Sequence, residues 1–190
     1  MVVAGAAVVA TLALTGCTGQ AEDPPTTTPA TSAAPSPSAT PTDTPTPDAA
    51  TPPERPDMSQ VDAATAEAVA RYFLELYPYV YATGDLTEWR ALSHPECIFC
   101  ASVITNVEEM VAAGKSADGG EVTAAITAAE LSPGTFAIGG SVDQASGIEY
   151  DPAGVVIGES TGGSHEVAMN LVSTPTGWLV RAVEFREAPQ

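Results

Sequence analysis

The sequence predicts an α+β fold: three N-terminal helices packed on an antiparallel sheet of four to five strands, preceded by a signal peptide and a disordered stalk. Three observations predict it. Apolar residues recur at spacings of three and four from Ala66 to Val80, the pattern turns alternating and β-rich beyond Glu121, and short turn sequences separate the alternating runs. Helices first and strands afterwards is the order of an α+β domain whose sheet buries one face against the helices.

The first element is an address. Residues 2–14 carry no charge and are mostly apolar, the composition of an export signal, and the run is too short to span a bilayer, which takes roughly 20 residues. Leu14-Thr15-Gly16-Cys17 resembles a bacterial lipobox. That resemblance implies a signal peptide over residues 1–17 and a mature protein beginning at a lipidated Cys17, with diacylglycerol and palmitate as the anchor. Two chains hold a protein durably where one binds only marginally, at about 0.8 kcal/mol per buried methylene. The implied place is the extracytoplasmic face of the cell membrane. The run lacks the Lys or Arg that usually precedes it, which points to a start upstream of Met1.

Residues 18–60 are expected to be a disordered stalk. Eleven prolines stand between Pro24 and Pro56, amid Thr, Ser and Ala and without an aromatic residue, so apolar burial cannot offset the entropy of ordering. Proline density favours polyproline II, at about 3.1 Å per residue, and gives a reach on the order of 100 Å. The Ser/Thr-Pro repeats suit either O-glycans or a bare spacer.

Residues 61–190 have the size of one domain with one core. The chain carries 24 acidic residues against six Lys and Arg, for a net charge of −18. Most of that excess lies in the domain. Such a surface repels phosphate backbones, which disfavours nucleic acid as a partner, and it leaves solubility as the simplest reading of the charge, with a site for a divalent cation or a basic partner as the alternative.

Within the domain, Asp62 is placed to cap a helix with a buried stripe of Ala66, Val69, Phe73, Leu76 and Val80, closed near Thr83 by Gly84. Pro78 removes a backbone donor inside it and predicts a bend or break. Residues 86–92 read as a short second helix. Ser93-His94-Pro95-Glu96 reads as a capping box opening a third helix, with Cys97, Cys100, Ile104, Val107 and Val111 on one face and an end at Ala113-Gly114. Residues 115–120 are expected to be a polar loop. Strands follow over residues 122–131, 135–150, 155–159, 165–174 and 178–187 as an antiparallel meander, with Phe136, Ile138 and Val142 pointing inward.

Two resemblances rest on these elements. The helices-then-sheet order and the turn Tyr81-Ala82-Thr83-Gly84-Asp85 resemble the cone-shaped α+β fold of nuclear transport factor 2 and its relatives. The run from Tyr79 to Cys100, followed by Gly119-Gly120-Glu121-Val122 and Gly177-Trp178-Leu179-Val180-Arg181, is similar to a family of uncharacterised actinobacterial lipoproteins, a domain of unknown function. The likeness implies a fold and a place but no activity.

Cys97 and Cys100 form the sharpest local motif. An exported protein matures where thiols oxidise, so a disulfide is the leading reading, contributing about 2 kcal/mol for so short a loop. Thiol exchange is a rival because the pair sits at a helix N-terminus, although no strand precedes it. A metal site with His94 is weaker, since no further ligands follow. By analogy with enzymes of the cone fold, Tyr72, Trp89, Tyr150 and His165 could meet in its cavity. No phosphate loop, nucleophile elbow, zincin motif or calcium loop is present, and nothing requires a metal or cofactor.

These readings lead to a membrane-anchored, cell-surface domain acting as a non-catalytic module that binds a protein or small ligand. A small-molecule enzyme of the isomerase or dehydratase kind, using acid-base residues in the cone, is the alternative. Thiol exchange is the third. A lined, open pocket with convergent perturbed groups favours the enzyme, and a cone filled by side chains favours binding.

Overall fold

A computed structural model describes residues 50–187. The signal peptide, Cys17 and the stalk up to residue 49 lie outside the described residues.

The first helix, α1 (Ala63–Thr83), starts where expected: the Asp62 carboxylate accepts the Thr65 N–H at 2.8 Å. It ends where expected too. Gly84 has φ +74°, its N–H bonds the Val80 carbonyl, and a Cβ there would lie 2.7 Å from Val111 Cγ2, so both the turn and the packing require glycine. Ala66, Val69, Phe73, Leu76 and Val80 are all buried. The expected break at Pro78 does not occur, since α1 runs through it unbroken. Proline forfeits one bond, to the Leu74 carbonyl, while buried Leu76 and Val80 on either side hold both halves on one core.

A short helix, α2 (Thr87–Leu92), buries Trp89 and Leu92. The third, α3 (Ile98–Ala112), begins later than the capping-box reading placed it. Ser93 is occupied elsewhere: its hydroxyl donates to the Trp89 carbonyl at 2.6 Å, and its backbone bridges Val180. Glu96 is drawn to Arg181 at 2.7 Å. Cys97 takes the cap instead, its sulfur accepting the Cys100 N–H at 3.1 Å. The buried face is Cys97, Cys100, Val103 and Val107, whereas Val111 is half exposed.

Seven strands follow: β1 (Ser116–Gly119), β2 (Val122–Ser132), β3 (Thr135–Gln144), β4 (Gly147–Tyr150), β5 (Val156–Ser160), β6 (Gly163–Thr174) and β7 (Gly177–Glu187). They form two antiparallel sheets, one of four strands in the order β2-β3-β6-β7 and one of three in the order β1-β4-β5. Residues 135–150 are therefore two strands in different sheets rather than one. The chain leaves the larger sheet after Gln144, where the glycine at 162 lets two backbones approach; a Cβ on Gly162 would stand 2.4 Å from the Gln144 carbonyl oxygen. Having left, β4 pairs with residues expected to be a polar loop, Ser116 opposite Tyr150 and Gly119 opposite Gly147. Backbone pairing alone makes β1 a strand, because its sequence has no apolar alternation.

The core lies between α1 to α3 and the inner face of the larger sheet. Phe136 stands opposite Leu171 and Ile138 opposite Met169, all four buried, and Val142 is buried as expected. Packing also reaches upstream of Val61, into residues assigned to the stalk. Met58 is half-buried against the core, its carbonyl accepts from Trp178 Nε1 at 3.2 Å, and Arg55 pairs with Glu88 at 3.1 Å. Among the described residues no helix is long and apolar enough to cross a membrane.

Candidate functional site

The interior between helices and sheet holds a cluster of aromatic side chains. Phe73 stacks on Trp89 with ring centres 4.1 Å apart, and Phe99 lies 6.2 Å from both Trp89 and Tyr77 and 5.4 Å from Phe185. The Trp89 indole is held in place by its hydrogen bond to the Cys100 carbonyl at 3.1 Å. What remains open is a cavity of about 130 Å³. Leu74, Tyr77, Trp89 and Phe99 line it from the helices, and Val122, Val142, Gln144, His165 and Phe185 from the sheet.

Of the four residues expected to meet here, Trp89 and His165 do so and Tyr72 and Tyr150 do not. Tyr72 lies five residues before Tyr77, about 140° around the helix, and its hydroxyl donates to Glu88 at 3.3 Å instead. Tyr150 belongs to β4 and leaves with the smaller sheet. Two further polar residues of the lining, Tyr77 and Gln144, were not among the four expected. Both had a signal: Tyr77 is four residues from Phe73 on the apolar stripe, and Gln144 is two residues beyond Val142 on the inner face.

Burial pushes the Tyr77 phenol up to about 12, helped by Tyr81, whose ring centre is 5.0 Å away. It is therefore a neutral hydrogen-bonding group at ordinary pH. Burial, and then the Glu88 carboxylate, raise Tyr72 as well. None of the residues lining the cavity is an Asp or Glu.

Cys97 and Cys100 are joined in a disulfide with Cα atoms 5.2 Å apart, and both are buried. An exchange site needs an attackable sulfur, and neither cysteine here is more than 1% exposed. His94 instead accepts the Glu96 N–H on Nδ1 at 3.1 Å.

A second, larger concavity of about 610 Å³ lies between α1, α3 and the smaller sheet. Tyr77, Tyr81, Asn106 and Met110 line the helix side, and glycines 119, 120, 147 and 158 line the sheet side. Four carboxylates reach it, Glu109, Asp118, Glu149 and Glu159, with Lys115 bonded to Glu149 at 2.9 Å. Tyr77 and Gln144 line both this groove and the smaller cavity.

Among solved structures, the chain is similar to the intermembrane space region of the chloroplast protein ARC6, at 10% identity over 68% of this chain and 99% of that one, with a TM-score of 0.52. That likeness bears on the fold alone. Slighter likenesses are to Aln2 from a Streptomyces species (10% identity, 67% of this chain and 94% of that one, TM-score 0.43) and to an uncharacterised protein with a cystatin-like fold from Caulobacter vibrioides (9%, 65% and 89%, 0.41). No curated protein matches the chain. Residues 37–183, more than half the chain and nearly all of the described body, match a family model, and the protein belongs to that family, DUF6318, a family of unknown function.

Proposed function

We propose that this domain is a non-catalytic binding module, held at the extracytoplasmic face of a cell membrane by a lipid on Cys17, as in the actinobacterial lipoproteins its sequence resembles. The observation that carries the binding half is the packing of Trp89 between Phe73 and Phe99, which leaves about 130 Å³ open inside the cone. Small-molecule sites run to roughly 300–1,000 Å³. An acid-base enzyme also needs paired groups driven to different protonation states, and the lining offers a neutral phenol, an amide and one imidazole. Binding then falls to the open groove beside the cavity, with a protein or small ligand as partner. The acidic surface argues against nucleic acid.

The anchoring half rests on the apolar run ending in Leu14-Thr15-Gly16-Cys17 and the proline-rich segment after it. Mass spectrometry of the processed protein tests it, with fractionation of cells carrying the native chain or Cys17→Ser. The native protein is expected in membranes with a diacylglycerol on residue 17, and the variant is expected to lose that attachment. An unmodified thiol at residue 17, or a cytosolic product, overturns the anchor. Turnover of carbonyl compounds by the purified chain, lost in His165→Phe, overturns the non-catalytic reading.

A further inference from the structure

The cavity and the groove adjoin at Tyr77 and Gln144, and their chemistries differ. The cavity is apolar, walled by Trp89 and Phe99, with Phe185 on its lining 42% exposed. Its room is on the scale of one large apolar side chain. The groove is acidic and flanked by two tyrosine rings, whose faces attract cations.

The acidity of the groove is not balanced from within the protein. Lysine and arginine number six in the whole chain, and all six lie among the described residues. Five are arginines paired away from the groove: Arg55 with Glu88, Arg71 with Glu67, Arg90 with Glu108, Arg181 with Glu96, and Arg186 with Glu184. Lys115 is the remaining one and is bonded to Glu149. Glu109, Asp118 and Glu159, brought from α3, β1 and β5, therefore face one hollow with no basic side chain left for them. A neighbouring depression shares Pro78, Asp118 and Gly119 with the groove and adds Glu75 and Glu121, so the acidic lining is elongated.

We infer that this face receives an extended, lysine- or arginine-rich segment of a partner protein, one apolar side chain seated in the aromatic cavity and the flanking cations along the groove. The inference rests on the binding-module reading and names the chemistry of its partner. Charge complementarity sets the sign of the partner, the connected depressions favour an extended chain over a compact ion, and the aromatic cavity beside them sets an apolar anchor. The acidity of the whole surface would speed the encounter.

Calorimetry on the full chain tests it with four synthetic peptides of seven residues: a central leucine flanked by lysines, the same with central alanine, the same with glutamates for lysines, and a neutral glycine-leucine version. The lysine-leucine peptide is expected to bind, and to weaken about tenfold with central alanine or in the double variant Glu109→Gln, Glu159→Gln. The control pair Glu130→Gln, Glu166→Gln removes the same charge outside the groove and is expected to leave binding unchanged. Equal weakening in the control pair, equal binding of the glutamate peptide, or no binding of the lysine-leucine peptide at millimolar concentration overturns the inference. If only the neutral peptide binds, the basic partner chemistry fails while the binding-module reading stands.

Discussion

The indole nitrogen of Trp178 donates a hydrogen bond to the Met58 carbonyl, 3.2 Å away and 120 residues earlier in the chain. It ties the segment before α1 to β7, so the packed body starts upstream of the first helix.

Trp178→Phe keeps an aromatic ring beside Phe136, whose centre is 5.2 Å away, and removes the donor. The loss of a part-buried hydrogen bond is expected to cost about 1 kcal/mol. Cleavage within residues 50–60 should accelerate in limited proteolysis while far-UV circular dichroism stays native. An unchanged cleavage rate would show that the tie does not hold the segment.

The disulfide between Cys97 and Cys100 closes a loop of only a few residues, so its stabilisation is expected to be small, about 2 kcal/mol. Reduction should lower Tm by roughly 5–10 °C without unfolding the domain at room temperature. Because both sulfurs are buried, reduction of the native protein should be slow and should quicken in mild denaturant. Rapid reduction in buffer alone would contradict the buried, structural role.

Trp89 combines a ring stacked on Phe73 with a hydrogen bond to the Cys100 carbonyl, and it is 1% exposed. Trp89→Ala removes both and enlarges the cavity, with an expected cost of about 3–5 kcal/mol in chemical denaturation. Trp89→Phe keeps most of the apolar contact and should cost clearly less. Equal losses in the two variants would place the energy in the hydrogen bond rather than in the packing.

The Tyr77 phenol ionises at about 12 in the folded protein and at about 10 in an unfolded chain. Its folded-state value is raised, so its contribution is fully present below pH 10 and is lost as pH rises through 12, because the unfolded chain releases the proton first. Stability measured by denaturant across this window should fall with pH, and the fall should be shallower in Tyr77→Phe. Identical slopes in the two proteins would remove Tyr77 as the cause.

The candidate site was half legible in the sequence. Trp89 and His165 could be placed in the cavity because each sits on a readable pattern, a short helix after Gly84 and an alternating strand. Tyr72 looked equally suitable as a buried tyrosine on α1, but burial does not tell one side of a helix from another when both are covered. Tyr150 failed for another reason: nothing in residues 135–150 announces that the chain changes sheets after Gln144. The groove was not legible at all, since its carboxylates come from α3, β1, β4 and β5 and share no spacing.

Periodicity and caps along the chain determined the three helices, the strands of the larger sheet, the inward set of Phe136, Ile138 and Val142, and the acidic excess, because each depends on neighbours a few residues away. The same local chemistry placed Cys97 and Cys100 within bonding reach. Tertiary structure decided the rest. It moved the start of α3 by giving Ser93 and Glu96 partners on other elements, carried α1 through Pro78, made a strand of residues 116–119, and gathered uncompensated carboxylates around one groove. Each of those outcomes depends on hydrogen bonds, packing or charges between residues far apart in sequence, and local propensity carries no information about partners that only the folded chain brings near.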